Sequence, residues 1–288
     1  MNRREWLKLA PAAALSVQTE KLTPGKARLR PALCAYSFRE ALAARRMTYE
    51  DLVRYAVEHH LDGLDLTVYW FPEPLTEQWL LALKRLAYRN AVEIYSISIR
   101  TEMTRPSPEL RRQEVETIRR WVNVAATLGA GHIRVFGGRI PQGATEDQAT
   151  GWAAEVLAQG AEYAGSKGVI LGLENHGGIT DRAETIVKIV RQVNSPWAGI
   201  NLDTGNFRSQ VYEQIEMCLP YTVNAQVKSQ IRDLGGEVRE SDWERIFGML
   251  ARAGYRGYLA LEYEAKEPET AVPRLLKRLR ELAARYSA

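Results

Sequence analysis

Residues 171–178 read LGLENHGG, a run in which a charged Glu174 follows alternating leucine and glycine. An ionised carboxylate in apolar surroundings costs on the order of several kcal/mol unless a cation or hydrogen-bond donors compensate it. The same pattern returns three times later in the chain, as NLDTGN at 201–206, NAQVKSQ at 224–230 and LALEYE at 259–264. This repetition indicates successive buried strands, each of which ends in polar side chains.

Outward from these stretches, short apolar runs alternate with longer helical patterns from residue 30 to the C-terminus. The eight predicted strands are ALCAYSF (32–38), LDGLDLTVYWF (61–71), VEIYSISI (92–99), HIRVFGG (132–138), VILGLEN (169–175), WAGINLDT (197–204), TVNAQVKS (222–229) and GYLALEYE (257–264). Runs that are mostly apolar throughout are typical of a parallel sheet buried on both faces. Eight strand–helix repeats in 288 residues predict an α/β fold, a (β/α)8 TIM barrel.

An open doubly wound sheet is the alternative fold. Such a sheet normally carries a glycine-rich phosphate-binding turn after its first strand. Here the corresponding segment, YSFREALAAR at 36–45, contains no glycine. The barrel is therefore the preferred prediction.

Local signals predict where several helices begin. The predicted capping boxes pair Thr48 with Asp51, Thr145 with Gln148 and Ser241 with Glu244. Thr76 and Thr180 are predicted single caps, and Ser107 followed by Pro108 predicts a long helix that ends at Gly129.

The N-terminal segment differs from the rest of the chain in charge. Residues 1–30 contain seven Lys or Arg and two Glu, a net charge of +5, so the formal net charge of +4 of the whole chain comes from this segment and the remainder is about neutral. A neutral remainder does not support nucleic acid as a partner. We predict that residues 1–29 form a leader and linker, and that residues 30–288 form a single barrel domain.

The leader resembles a twin-arginine export signal. Arg3 and Arg4 precede Trp6, and a small-residue apolar run follows from Leu9 to Val17. An amphipathic or disordered arm is the alternative. The run is too short for a membrane anchor, which needs roughly 20 apolar residues. We expect a periplasmic protein, or a cytoplasmic one if the leader is not functional.

Cysteine and histidine limit the available chemistry. Two cysteines, Cys34 and Cys218, are too few for a disulfide framework and lack the paired spacing of a zinc site, so both are expected to be buried thiols. Four histidines are not enough for a multi-zinc site built mainly on imidazole.

The polar strand ends predict one metal site. In a TIM barrel the C-terminal ends of the strands line the active site, which would bring together Glu174, Asp203, Gln226 and Glu262 from predicted strands five to eight. Ligation by oxygen alone favours hard divalent ions, Mn²⁺ first and Mg²⁺ or Co²⁺ as alternatives. Taken singly, a carboxylate at a strand end is also typical of a helix cap or rim salt bridge, and Gln226 of a core amide.

A metal at this place would polarise a carbonyl so that a neighbouring C–H proton is lost and an enediolate forms. Glu174 and Glu262 are the predicted pair that takes and returns the proton. His176 is predicted to bind a substrate hydroxyl or the metal shell, and Lys228 to stabilise negative charge. A structural histidine and a rim salt bridge are the competing interpretations of these two residues.

Aromatic and basic side chains near the strand ends are candidates for binding the substrate. Trp70 is the leading stacking residue, with Tyr36 and Phe136 beside it, although packing is an alternative for these rings. Arg100 and Arg134 are predicted to bind hydroxyls or a carboxylate, with an ion pair inside the barrel as the alternative.

Together these residues resemble the sugar phosphate isomerase/epimerase family of xylose isomerase-like barrels. The resemblance runs from about residue 31 to the C-terminus and rests on ALCAYSFRE (32–40), LENHGG (173–178), NLDTGN (201–206) and LEYE (261–264). It implies that Glu174, Asp203 and Glu262 are metal ligands. The family pattern on strand seven is His-x-His-x-Lys-Asp, whereas this chain has NAQVKS (224–229), so Gln226 stands where a ligand histidine is expected and an altered metal or altered chemistry is implied.

The sequence thus predicts a metal-dependent sugar isomerase or epimerase that acts by α-proton abstraction on a small-molecule sugar or glycoside. A 3-keto-glycoside lyase with the same site and a non-catalytic exported carbohydrate-binding barrel are the alternatives. A homo-oligomer is left open.

Overall fold

The computed structural model describes residues 26–287 of the chain. Its strands are β1 (Arg28–Cys34), β2 (Gly63–Thr67), β3 (Glu93–Ser98), β4 (His132–Phe136), β5 (Ile170–Glu174), β6 (Ala198–Asp203), β7 (Thr222–Val227), β8 (Gln230–Arg232), β9 (Val238–Glu240) and β10 (Arg256–Leu261). Strands β1 to β7 and β10 are parallel and close into a barrel in which β10 pairs with both β7 and β1. The predicted (β/α)8 barrel is confirmed.

Helices surround the barrel and cover its outer surface. They are α1 (Arg39–Ala43), α2 (Tyr49–Glu58), α3 (Glu77–Arg89), α4 (Pro108–Leu128), α5 (Glu146–Ser166), α6 (Ala183–Val193), α7 (Val211–Cys218), α8 (Trp243–Arg252) and α9 (Pro268–Tyr286). Short 3-10 turns occupy Ala35–Phe38, Val68–Trp70, Gly178–Thr180 and Leu219–Tyr221. Strands β8 and β9 form an antiparallel pair between β7 and α8.

Most of the predicted helix starts are confirmed. Complete capping boxes at Thr48 and Thr145 begin α2 and α5, while the side chains of Thr76 and Ser107 cap α3 and α4. Helix α4 ends at Leu128 and is followed, as predicted, by Gly129, whose φ of 84° lies in the left-handed region that favours glycine.

Two predicted caps are wrong. The cap of α8 is Asp242 rather than Ser241, and the side chain of Glu244 instead accepts hydrogen bonds from Arg285 and Tyr286 on α9. Thr180 belongs to a 3-10 turn, and α6 begins three residues later at Ala183. At α6 the N-cap residue is Arg182, whose side chain makes no capping bond, and Thr180 Oγ1 instead bonds to the backbone of His176 and Gly177.

The first strand begins earlier than predicted. It spans Arg28–Cys34. It also ends earlier, because residues 35–38 of the predicted strand form a 3-10 helix at the mouth of the barrel. The barrel therefore begins two residues before the predicted domain boundary at residue 30. Residues 1–25 of the predicted leader lie outside the described residues.

The interior of the barrel contains polar side chains, although the strand sequences are mostly apolar. Along β2, Leu64 and Leu66 belong to the apolar core, whereas the fully buried Asp65 bonds to Gln226 on β7. Because β2 and β7 are not neighbours in the sheet, this bond spans the barrel interior. Residues of one parity thus pack under the helices, and polar residues of the other parity fill the barrel.

Across residues 26–287, no helix combines the length and apolar character that crossing a bilayer requires.

Candidate active site

A buried lysine lies at the centre of the C-terminal mouth of the barrel. The side chain of Lys228, directly after β7, is 10% exposed. Its Nζ lies 3.2 Å from Asp203 Oδ2 at the end of β6 and 3.5 Å from Glu262 Oε1 just after β10. It also donates hydrogen bonds to Asn206 Oδ1 at 2.9 Å and Glu264 Oε2 at 3.1 Å. The ammonium therefore has three carboxylates and one amide oxygen around it.

Glu174, at the end of β5, has its own cation. Arg134 Nε lies 2.8 Å from Glu174 Oε2, and both side chains are almost fully buried. The other oxygen, Oε1, lies 2.9 Å from His176 Nδ1 and accepts a hydrogen bond from Asn206 Nδ2 at 3.1 Å. Burial acts to raise the pKa of Glu174, but Arg134, His176 and Lys228 together lower it below its usual value. Glu174 is therefore ionised at neutral pH.

Glu262 has the opposite tendency. Burial raises its pKa to about 8, and the nearby Lys228 only partly offsets this effect. The thiol of Cys34 donates a hydrogen bond to Glu262 Oε2 at 3.2 Å from below, inside the barrel. At neutral pH the two glutamates thus favour different protonation states, an arrangement that suits one acid and one base.

Asp203 is held rigidly by its backbone. Its N–H donates to Asn175 Oδ1, its C=O accepts from Asn175 Nδ2, and Asp203 Oδ1 accepts from the backbone N–H of Gly205. Burial raises the pKa of Asp203 to about 6. Oδ2 accepts no hydrogen bond from the residues the structure describes, although the Lys228 ammonium is close.

Gln226 is not directed at these carboxylates. Its Oε1 accepts a hydrogen bond from Asn201 Nδ2 at 2.7 Å, and its Nε2 donates to Asp65 Oδ2 at 3.1 Å. Asn201 Oδ1 in turn accepts from Asn224 Nδ2, and Asp65 Oδ1 accepts from Ser98. Both ends of the Gln226 amide are therefore used within the barrel, below the mouth.

The donor set does not fit a divalent ion in this arrangement. Within residues 26–287, no three Asp, Glu, His or Cys side chains are placed to hold a metal. The free lone pairs of Asp203 Oδ2 could coordinate a divalent ion, but the ammonium of Lys228 lies beside that oxygen and beside Glu262. Gln226, the expected fourth ligand, is engaged elsewhere. The structure brings three of the four predicted ligands to one mouth, where they pair with basic side chains.

The predicted substrate-binding aromatic residues lie in two groups of contacting rings. The ring of Tyr36 stacks on that of Trp70, with centroids 6.0 Å apart, and Tyr69 meets Trp70 edge-on. Farther round, Phe136 stacks on His176 with centroids 4.1 Å apart. Tyr36 and Trp70 thus belong to one group, and Phe136 belongs to the other.

The two predicted arginines occupy different settings. Arg134 lies within the barrel, where it pairs with Glu174 and donates to the carbonyl of Ile99, as the ion-pair interpretation expected. Arg100 is exposed, and its guanidinium lies 4.0 Å from the centroid of the Tyr69 ring.

Two cavities open at this mouth. One, of about 360 Å³, is lined among others by Asn206, Lys228, Glu262 and Glu264 and is bordered by β8 and β9. The second, of about 630 Å³, includes Arg100, Phe136 and His176 in its lining. These sizes suit a small-molecule ligand.

Sequence reasoning missed several residues of the site. They are Cys34, Asp65, Asn201, Asn206 and Glu264. Glu264 shares the strand parity of Glu262, and Asn206 ends the quoted NLDTGN run, so both had a local signal. Asp65 had one as well, since it is a charged residue between leucines in the second predicted strand.

With this geometry in view, comparison with known proteins identifies the family. The family model described as "Xylose isomerase-like TIM barrel" matches residues 53–282. The chain therefore belongs to this family, and the resemblance read from its motifs is confirmed. No curated protein sequence matches the chain.

Solved structures with the same fold include several sugar epimerases. The D-psicose 3-epimerase of Clostridium cellulolyticum H10, solved with D-tagatose, has a TM-score of 0.70 and 16% identity, over 90% of this chain and 98% of that one. The 3-keto-D-glucoside 4-epimerase YcjR of E. coli has a TM-score of 0.67 and 14% identity, over 89% of this chain and all of the other.

The IOLI protein, solved with a zinc atom, has a TM-score of 0.74 and 14% identity, over 90% of this chain and 98% of that one. At such identities the likeness concerns the fold.

Proposed function

We propose that this protein is a sugar isomerase or epimerase that moves a proton on the carbon next to a carbonyl. The observation that carries the proposal is geometric. Two buried carboxylates, Glu174 and Glu262, lie at one barrel mouth, each beside a different buried cation, and cavities of small-molecule size open there. The fold neighbours that act on D-psicose and on a 3-keto-D-glucoside support the substrate class.

The proposed reaction needs a base, an acid and a positive charge. Glu174, whose pKa is lowered, takes the α-proton, and the electrons of the broken C–H bond form a C=C bond as the carbonyl becomes an enolate. The Lys228 ammonium stabilises the negative oxygen. Glu262, whose pKa is raised, gives its proton to the other face of that carbon, which yields the epimer. Return of a proton to the former carbonyl carbon, together with transfer of the α-hydroxyl proton to the enolate oxygen, would yield the isomer.

The remaining residues hold the sugar. Asp203 Oδ2, which accepts no hydrogen bond from the described residues, is available to a substrate hydroxyl. His176 is half exposed beside Glu174 and is proposed to bind another hydroxyl. Trp70 and Tyr36 are proposed to stack on the C–H face of the ring, and Phe136 and Arg100 to border the farther cavity.

The second candidate is a lyase on 3-keto-glycosides. It begins with the same proton abstraction, but the enolate then expels the group at C1 instead of being reprotonated. The observation that favours it is the fold neighbour YcjR, a 3-keto-D-glucoside 4-epimerase. A carbohydrate-binding barrel without catalysis is the third candidate.

The test is a set of incubations in deuterated water, followed by NMR. Ketoses and 3-keto-glycosides are supplied, and an isomerase or epimerase should place solvent deuterium at an α-carbon without bond cleavage. Release of the aglycone identifies the lyase. Sugar binding with no exchange on any substrate contradicts both enzymes and favours the binding protein.

Matched variants assign the proton carriers. We expect Glu174→Gln and Glu262→Gln each to lower the exchange rate by about 10²-fold or more, the range typical of general acid–base residues. Glu216→Gln, on an exposed position of α7, is the control and should keep the rate of the unmodified protein.

We also propose export through the twin-arginine leader, on the basis of Arg3 and Arg4 and the apolar run that follows them. A bacterial host that produces the full chain should place it in the periplasm with the leader removed. Replacement of both arginines by lysine should retain it in the cytoplasm, and periplasmic protein that keeps its leader would contradict the proposal.

A further inference from the structure

We propose that the Lys228 ammonium occupies the position that a divalent ion would need, so that this site polarises its substrate with a lysine instead of a metal. The inference deepens the proposed function and, in its catalytic half, rests on it. It concerns Asp203, Glu262 and Gln226, which the sequence pattern presents as metal ligands.

Lys228 Nζ lies close to oxygens of two predicted metal ligands. Nζ lies 3.2 Å from Asp203 Oδ2 and 3.5 Å from Glu262 Oε1, so it is within ion-pair distance of both oxygens that would share an ion. A small divalent ion binds such oxygens at about 2.0–2.1 Å. An ion bound to both would have to share these oxygens with the ammonium, and two neighbouring cations repel each other.

The carboxylates of the site lie close to basic side chains. Asp203, Glu262 and Glu264 face Lys228, while Glu174 has Arg134 as its partner at 2.8 Å. The remaining oxygen of Glu174, Oε1, is occupied by His176 and Asn206. Each of these four carboxylates thus has a basic side chain of the chain itself beside it.

Hydrogen bonds inside the barrel hold Gln226, the fourth expected ligand. Gln226 Oε1 could approach a metal at the mouth only by releasing Asn201, and its Nε2 would at the same time leave Asp65. Asn201 and Asp65 are both fully buried, so neither would find water in its place. The hydrogen-bond network therefore holds the fourth expected ligand away from the mouth.

The experiment measures metal binding without substrate. Full-length protein is dialysed against EDTA and titrated with Mn²⁺, and free Mn²⁺ is followed by electron paramagnetic resonance. We expect no stoichiometric Mn²⁺ on the unmodified protein up to about 1 mM, the weak end of the affinity range for hard-cation sites. Its melting temperature should not respond to Mn²⁺. One tightly bound Mn²⁺ per chain would overturn the inference.

Removal of the ammonium supplies the positive arm. Lys228→Met should gain Mn²⁺ binding, because Asp203 and Glu262 lose their cation, and Mn²⁺ should then raise its melting temperature. Lys228→Gln is the second variant if Lys228→Met does not fold. Lys277→Met, on an exposed position of α9, is the control and should behave as the unmodified protein. Absence of Mn²⁺ binding in folded Lys228 variants would contradict the assigned role of the lysine.

These outcomes are separate from the proposed function. Failure of sugar proton exchange both with and without Mn²⁺ would contradict the isomerase or epimerase but leave the binding result unchanged. Mn²⁺ binding by the unmodified protein together with proton exchange would overturn only the inference.

Discussion

At the scale of single residues, the site depends on buried polar groups that satisfy one another. Gln226 shows the principle, because each end of its amide serves a different partner inside the barrel. A buried group that loses its partner costs about 1–3 kcal/mol, whereas the net gain from making the bond is smaller. The interior network is therefore sensitive to the removal of any member.

We expect Gln226→Met to lower the free energy of unfolding by about 2–5 kcal/mol, because Asn201 Nδ2 and Asp65 Oδ2 each lose a partner. Urea denaturation measures the change. Gln159→Met, on an exposed position of α5, is the matched control and should change stability by less than about 0.5 kcal/mol. A loss below about 1 kcal/mol for Gln226→Met would show that the network does not stabilise the barrel.

His132 gives a pH dependence at the same scale. It is buried on β4 with Nδ1 2.9 Å from Ser96 Oγ, and burial, helped by Arg134, lowers its pKa from 6.5 to about 3. The unfolded chain therefore binds a proton below pH 6.5 that the folded chain does not bind until about pH 3. Stability contributed by neutral His132 is present above pH 6.5 and is lost as the pH falls.

From pH 7 to pH 5 this single group should remove about 2 kcal/mol of unfolding free energy. Denaturation curves of the unmodified protein and of His132→Gln, recorded at both pH values, isolate the effect. The unmodified protein should lose about 2 kcal/mol more than the variant over this interval. An equal loss in both would mean that His132 is already protonated in the folded chain.

At the scale of elements, helix starts are set by residues close in sequence. The box that begins α2 is complete, since Thr48 Oγ1 accepts from the N–H of Asp51 and Asp51 Oδ2 accepts from the N–H of Thr48. Both bonds lie within four residues, which is why the sequence predicted them. Ser241 and Glu244 show the same sequence pattern, but no capping box forms there, because the side chain of Glu244 instead accepts hydrogen bonds from residues of α9.

Thr48→Ala should lower the free energy of unfolding by about 1 kcal/mol, within a range of about 0.5–2, because the cap leaves a backbone N–H without its acceptor. The control is Thr117→Ala in the exposed interior of α4, where Thr117 Oγ1 donates only to the carbonyl of Gln113. That change should be within about 0.5 kcal/mol of neutral, because alanine favours helix. Equal losses for the two variants would contradict the capping role.

The same contrast between local and distant contacts explains what could be predicted of the site. Glu174, Asp203, Glu262 and Lys228 were found because each is a polar residue at the end of an apolar run. The partners of Gln226 could not be predicted, because Asp65 is 161 residues away and becomes its neighbour only when the barrel closes. Whether the carboxylates face a metal or an ammonium likewise depends on where the Lys228 side chain points.

At the scale of the whole molecule, closure of the barrel creates the site. Strand β10 pairs with β7 on one side and β1 on the other, and this closure brings Glu262 to Lys228 and Cys34. Ser287, directly after α9, adds a contact to the first strand, since its Oγ accepts a hydrogen bond from the backbone N–H of Leu29. The N- and C-terminal ends of the barrel thus both contribute to one candidate site.

The central claim is that this site transfers an α-proton with a lysine as its source of positive charge. The most direct measurement is the rate at which solvent deuterium enters the α-carbon of an accepted ketose or keto-glycoside, followed by NMR on one sample in EDTA and then with excess Mn²⁺. The account predicts rates that agree within about twofold, and a loss of about 10²–10³-fold in Lys228→Met, as for removal of an oxyanion donor. Exchange that is absent in EDTA and restored by Mn²⁺ would contradict it.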